Sequence, residues 1–396
     1  MGKAFTKPTR NDRCHDRIFP AKLKNPAIHN SGPRIETTAW HRELQPFLLH
    51  SAFQKQSFTM TSLTVQYYSP LPLFAGSVSS VAASSALGII GLNCLPSLPE
   101  SGEETGPVRL MADLPLLWPE RVGAELWLAS DATSRWDSRQ IGPDQVVNGE
   151  NDRLFFGAVR ISNDVPLREA SFRAYQALFS VIDEKGFPHL LKTANYMPRI
   201  HDMDDGTERY HLFNQGRFDA FSARGREETS APAACALGTG SGGLLVYVLA
   251  GRQAGIPVEN PRQISAYRYP EQYGPRSPTF SRATIATTGE HERCLFISGT
   301  AAITGHQSLH PDDVEAQTWE TVANIRAVMQ AAQNKGFQGD ARALRLKAYI
   351  RHPSDLPAVQ SILNDAFGPG TIECILRADI CRAELLVEVE GYCPER

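Results

Sequence analysis

The last hundred residues constrain the fold more than any other part of the chain. RCLFISGTAAITG (293–305) has the β-branched and aromatic content of a strand. DDVEAQTWETVANIRAVMQAAQNKGF (312–337) is acidic at its start and carries apolar residues at helical spacing. Val314, Trp319, Val322, Ile325 and Met329 fall roughly on one face of that helix. LRLKAYIRH (344–352) reads as a strand, DLPAVQSILNDAFG (355–368) as a helix, and ECILRADICRAELLVEVEG (373–391) as one or two closing strands. The order β-α-β-α-β(β) predicts an α/β unit.

Upstream, short strand-like runs (LTVQYY, GIIGL, ELWLAS) alternate with Pro, Gly and Ser turns between Leu63 and about Ser130. NDRLFFGAVRIS (151–162) is a further strand. PLREASFRAYQALFSVIDEKGF (166–187) is a helix, with Pro166 suited to its first turn and Gly186 to its end. Phe172, Tyr175, Leu178, Phe179 and Ile182 form its core stripe. HLLKTANYMPRI (189–200) reads as a strand leading into a loop. The polar stretch 201–233 carries little period and reads as a long loop that lines a site.

At 396 residues, 42% hydrophobic and 21% charged, the chain is long enough for two domains. The net charge of −3 points to neither nucleic acid nor an anionic membrane. Residues 1–59 hold 10 of the 40 Lys/Arg and 4 of the 43 Asp/Glu, net +6, against −9 for the rest. They show no sustained period and read as a disordered or non-native extension. The expected organisation is therefore an extension (1–59), an N-terminal α/β domain (60–230) and a C-terminal domain (231–396). No run reaches ~18 uninterrupted apolar residues, the length a membrane helix needs. Seven cysteines without a CxxC pair fit reduced thiols and a cytoplasmic location.

ALGTGSGGLLVYVLAG (236–251) tests for a phosphate-binding loop and fails. SAPAACAL before the glycines is a poor strand, and LLVYVLAG after them is a strand rather than the helix such a loop requires. There is no GK[ST] for a P-loop and no G-x-S-x-G around Ser241. The stretch reads as a glycine turn entering a strand. His201, Asp202, Asp204 and Asp205 cluster in a turn without a second cluster to complete a metal site.

Chemistry is better sought in polar residues within apolar strands. In LLVEVEG, Glu388 and Glu390 alternate with Val387 and Val389, and an inward carboxylate is costly unless used or paired. In CILRADICR, a period of two puts Arg377, Asp379 and Cys381 on one face. A solvated outer edge would show the same alternation.

NYMPRI, ERYHLFNQGRFDAF, ISAYRYPEQYGPRSPTFSRA, LFISGTAAITGH and ILRADICRAELLVEVEG, in that order, resemble the chorismatase family, from about Tyr67 to Gly391. The C-terminal segment also resembles the RidA/YjgF group, through Glu315, Gln317, Thr318, Asn324, Ile325 and the closing VEVEG. The resemblance implies an α/β fold. Its C-terminal RidA/YjgF-like domain, a mixed sheet with two helices on one face, packs on a larger N-terminal α/β domain, with substrate between them.

It also implies an activity, cleavage of the enolpyruvyl ether of chorismate, with no metal and no cofactor. Glu388 matches the family's acid, which protonates the enolpyruvyl methylene. Tyr196 and Arg209 match substrate-binding positions, and Tyr273 joins them. Arg377 is expected as the second carboxylate clamp, with Arg351 and Arg276 as rivals. Cys381 matches a substrate-contacting Cys of the members that make 3-hydroxybenzoate, some of which also make 4-hydroxybenzoate. The alternatives are a hydrolytic chorismatase, a RidA-like imine deaminase and a non-catalytic metabolite-binding module. Chorismate is the expected partner, without nucleic acid or membrane, in a monomer or a homo-oligomer such as a trimer.

Overall fold

The computed structural model describes residues 63–68, 85–92, 108–119, 123–129 and 133–395, so the extension expected at 1–59 lies outside it. Residues Thr59–Arg396 form one compact unit. In chain order the elements begin with β1 (Leu63–Tyr68), β2 (Ala86–Leu92), β3 (Val108–Ala112), β4 (Leu116–Trp118) and β5 (Ala124–Ala129). Then come β6 (Arg135–Ile141), β7 (Asp144–Glu150), β8 (Leu154–Ile161), α1 (Leu167–Glu184) and β9 (His189–Pro198). The short hairpin β10 (Met203–Asp204) and β11 (Thr207–Glu208) leads into α2 (Arg209–Ala223), β12 (Ala233–Thr239), β13 (Leu244–Gly251), β14 (Ile256–Val258), β15 (Ala283–Thr287) and β16 (Arg293–Thr300). A second hairpin, β17 (Ile303–Thr304) with β18 (Gln307–Ser308), precedes α3 (Val314–Asn334), β19 (Arg345–Ile350), α4 (Leu356–Phe367), β20 (Ile372–Arg377) and β21 (Val387–Pro394).

Three sheets result. The first runs β1-β5-β2-β3, the second β12-β9-β13-β8-β7-β6, and the third β14-β15-β16-β21-β19-β20-β4. The pleat explains how they stack. Alternate residues of β8 and β13 (Phe155, Val159, Val246, Val248) pack under α1 and α2. Their neighbours (Phe156, Ala158, Leu245, Tyr247) face a separate core shared with Phe296, Tyr349 and Leu376 of the third sheet. Strands buried on both faces read as unbroken apolar runs, which is why LFFGAV and LLVYVL show no alternation. The third sheet repeats the pattern. Leu346, Ala348, Ile350, Val387 and Val389 face α3 and α4, a mixed sheet with two helices on one face as expected. Lys347, Tyr349, Glu388 and Glu390 alternate with them by the period of two, so they face the inter-sheet layer.

Four details differ from the sequence reading. The stretch 201–233 contains the helix α2. It lacks an apolar stripe because its buried face mixes Phe213, Ala220 and Phe221 with Asn214, Gly216 and Arg217. Gly216 is needed there, since a Cβ would lie 2.0 Å from the Arg168 carbonyl of α1. SAPAACAL includes the strand β12, parallel to β9. Its small residues gain order from tertiary bonds: Ala233 N–H donates to Thr284 Oγ1 at 2.8 Å and Ala234 N–H to Ser298 Oγ at 2.9 Å. Strands β12 and β13 lie beyond the expected boundary at 230/231 and complete the second sheet. Trp319 is 45% exposed and Phe172 37%, so each leaves its expected core stripe.

The glycine stretch is a turn into a strand. Gly242 has φ +81°, and a Cβ on Gly243 would lie 1.9 Å from the Ile161 carbonyl. Glycine is required there by the backbone. No helix among the described residues is long and apolar enough to cross a membrane.

Candidate active site

A cavity of about 320 Å³ opens between the start of α2, the 263–282 segment, the end of β16 and the chain from Cys381 into β21. Its volume is in the range of small-molecule sites. Glu388 forms part of its wall and is 4% exposed. The carboxyl has room only because residue 299 is glycine: a Cβ there would lie 1.9 Å from Glu388 Oε1. Among the described residues no hydrogen bond reaches the Glu388 carboxyl. Burial raises its pKa to about 8, with a further push from Glu390 and an opposing pull from Lys192. Glu388 is thus a neutral acid near pH 7, facing the cavity.

Glu390, two residues on, behaves in the opposite way. Burial alone would raise it, but Lys192 and Lys347 prevail and hold it well below the usual carboxylate range. Its Oε2 accepts a bond from Lys192 Nζ. Its Oε1 accepts from Lys347 Nζ at 2.9 Å and from Tyr349 Oη at 2.6 Å. Two carboxylates on one strand face are driven apart by their surroundings, the pattern that separates an acid from a fixed anion.

Two arginines reach the cavity. Arg382 lies over the Tyr273 ring, 3.9 Å from its centroid, and donates from Nη1 to the His306 carbonyl at 2.9 Å and Ser308 Oγ at 3.0 Å. Arg282 donates from Nη2 to the Ile264 carbonyl at 2.7 Å and Tyr269 Oη at 2.8 Å. Its Nε is buried without a partner. A buried, unsatisfied guanidinium N–H is a donor in wait of an acceptor. The opposite wall carries Glu208, raised mainly by burial, and His211, whose charged form burial disfavours.

Of the sequence-derived candidates, Glu388, Cys381 and Tyr273 line the cavity. The Cys381 thiol is pushed up to about 12 by burial and then by Glu388, so it is neutral. Tyr273 Oη lies 3.2 Å from His306 Nδ1. The others are not on the wall. Tyr196 is buried in the inter-sheet layer, its hydroxyl 2.9 Å from that of Tyr349. Arg209 turns away: its Nη1 meets Asp204 and its Nε donates to the Pro198 carbonyl at 3.1 Å, so it braces the β10–β11 hairpin. Arg377 is exposed where β20 ends. The alternation that grouped it with Cys381 fails because the strand stops at Arg377. Arg351 pairs with Asp379 at 2.7 Å and holds the Leu385 and Arg382 carbonyls, which fixes the segment that presents Cys381 and Arg382. Arg276 stacks over Phe218 at 4.4 Å.

Sequence reasoning missed Arg282, Arg382 and Gly299. Arg382 follows Cys381 and Arg282 is the arginine of TFSRA, so both lay inside quoted motifs. Nothing local distinguished them from the other arginines of those loops.

The family description "Chorismatase FkbO/Hyg5-like, N-terminal" matches residues 125–250. A 3-hydroxybenzoate synthase of Streptomyces hygroscopicus is 36% identical over 278 residues, covering 68% of this chain and 80% of the relative. A chorismatase of Streptomyces rapamycinicus is 37% identical over 245 residues, 60% of this chain and 73% of the relative. The crystal structure of a chorismatase superposes with a TM-score of 0.74 at 28% identity, over 85% of this chain and 100% of that one.

Proposed function

Since the chain belongs to the chorismatase family, we propose that it cleaves the enolpyruvyl ether of chorismate, releasing 3-hydroxybenzoate and pyruvate. The observation that carries the reading is Glu388: a neutral carboxyl without a hydrogen-bond partner among the described residues, facing a cavity whose wall holds two arginines.

Chorismate carries two carboxylates, a ring hydroxyl and an enol ether. Arg282 and Arg382, both on the cavity wall, supply one cation for each carboxylate. Both guanidiniums are already fixed by carbonyls and aromatic rings, so little side-chain freedom is lost on binding. Glu388 donates its proton to the terminal methylene carbon of the enolpyruvyl group, which becomes the methyl of pyruvate. Positive charge develops on the ether carbon. The neighbouring ring hydroxyl attacks the ring carbon as the ether bond breaks and pyruvate departs. The hydroxyl oxygen loses its proton as it bridges the two ring carbons; its original C–O bond then breaks, it takes a proton back, and loss of the proton on the carbon that keeps it completes the aromatic ring. One proton enters at the methylene and one leaves the ring, so the products together contain the atoms of chorismate, and the Glu388 carboxylate is reprotonated.

The same site with water as nucleophile would instead give a dihydroxy-cyclohexadiene carboxylate. Cys381 favours the first outcome. It is a neutral wall beside Glu388, neither base nor nucleophile, and the relative named 3-hydroxybenzoate synthase points the same way. The test is to incubate the purified protein with chorismate and identify the ring product by chromatography and mass spectrometry, with Glu388→Gln in parallel. Hydroxybenzoate and pyruvate, absent with the variant, are expected. A dihydrodiol would keep Glu388 and overturn the role of Cys381. Intact chorismate would overturn the function.

A further inference from the structure

Behind Glu388 the three sheets bring four buried charges together. Glu125 comes from β5 of the first sheet, Lys192 from β9 of the second, and Lys347 and Glu390 from β19 and β21 of the third. Their side chains are only 2–5% exposed. Lys347 Nζ lies 2.6 Å from Glu125 Oε2 and 2.9 Å from Glu390 Oε1, and Lys192 closes the chain on Glu390 Oε2. Every remaining acceptor is used: Glu125 Oε1 accepts from Trp127 Nε1 at 2.8 Å and Tyr247 Oη at 3.0 Å. Two lysines and two glutamates balance, so the cluster has no net charge.

A balanced, hydrogen-bonded cluster of this kind contributes little net stability, because desolvation offsets the attraction. Apolar residues of similar volume often do as well. Its position suggests a different use. Glu390 is two residues from Glu388 on the same strand and the same face. Glu388 is left outside every bond of the cluster, with its carboxyl toward the cavity.

We infer that this cluster is a positioning device for the reaction, in which Glu390, a fixed anion beside Glu388, adds to burial in keeping Glu388 in its proton-donating form while Lys192 limits that effect. The inference rests on the reading of Glu388 as the acid. Beside a buried carboxyl, the neighbouring carboxylate favours the protonated form and the lysine the ionised form, so the two act on Glu388 with opposite signs. The other groups facing Glu388 from the protein side are neutral where it titrates. Burial pushes the thiols of Cys235 and Cys381 and the hydroxyls of Tyr210 and Tyr349 well above their ordinary range. The cavity wall also carries Arg282, Arg382, Glu208, Glu384, His201 and His211.

The test compares Glu390→Gln with Lys192→Gln. Each is measured for the pH dependence of kcat/KM on chorismate, and for the titration of Glu388 by carboxyl-carbon NMR of Glu-labelled protein, assigned by its loss in Glu388→Gln. Removing the anion should move the alkaline limb and the Glu388 titration to lower pH by about one unit. Removing the cation should move both to higher pH, since Lys347 and Tyr349 still hold Glu390 ionised. A merely structural role gives no opposed shifts. Two shifts in the same direction, or none, would overturn the inference. If Glu390→Gln does not fold, Lys192→Gln decides alone: an upward shift supports the inference and an unmoved titration refutes it. Should the protein leave chorismate intact at every pH, the proposed function fails, while the NMR titration still reads the cluster.

Discussion

Gly299→Ala removes nothing and adds one methyl group, so its consequence can be worked from the geometry. The new Cβ would lie 1.9 Å from Glu388 Oε1 and 2.7 Å from its carboxyl carbon, with Cys235 Cβ 3.3 Å away on another side. Ordinary contact begins near 3.4 Å, so the carboxyl oxygen must move by about 1.5 Å. The other obstacle is the Cys235 Cβ of β12, but the carboxyl borders open cavity and can swing into it. The fold should therefore lose no more than the ~1–3 kcal/mol typical of overpacking. Catalysis should lose more, because a misplacement of about 1 Å costs on the order of 100-fold in rate. The expected result is kcat for pyruvate release down about 100-fold, KM for chorismate nearly unchanged because Arg282 and Arg382 are untouched, and near-native circular dichroism. Full kcat in a folded Gly299→Ala protein would refute the placement of Glu388 as the acid.

Three further outcomes follow from the site. Activity should fall as pH rises through about 8, where Glu388 loses its proton. Because its native pKa lies above the ordinary 4.5, the folded state binds the proton more tightly, so stability also declines between pH 4.5 and about 8. Glu388→Gln should flatten that decline in thermal melts and lower kcat by roughly 10²–10⁴. Arg382→Ala should raise KM by roughly 10- to 100-fold, the cost of stranding a carboxylate without its charged donor; an unchanged KM would remove Arg382 from the binding site. Arg209→Ala should leave KM for chorismate unchanged while lowering the melting temperature, since it breaks a bond to Asp204 worth about 1.5–3 kcal/mol. A raised KM with an unchanged melting temperature would return Arg209 to the site.

Much of the architecture is legible in the chain. Strands β8, β9, β13, β16 and β19 and helices α1, α3 and α4 follow from apolar runs and helical spacing, because each buries at least one continuous face. The alternation in LLVEVEG put both glutamates on one face, and their burial in the structure shows that this face is the inward one. Helix α2 and strand β12 were not legible. One buries Asn214 and Arg217 among its core residues, and the other is built of alanines ordered by Thr284 and Ser298 from a distant part of the chain. Tertiary partners supply what local propensity lacks.

The division at the site has the same cause. The sequence by itself determined which residues could do the chemistry: two glutamates on one face of a strand, a cysteine ahead of them, and loops rich in tyrosine and arginine. Periodicity is a property of a single strand or helix, and it ends where the element ends. Only the tertiary structure decided which arginines face the cavity, because Arg209, Arg351 and Arg377 differ from Arg282 and Arg382 in their partners rather than in their neighbours along the chain. It also decided that Glu388 and Glu390, identical in type and two residues apart, titrate in opposite directions. Burial acts on both, but Lys192 and Lys347, brought from two sheets, bond only to Glu390.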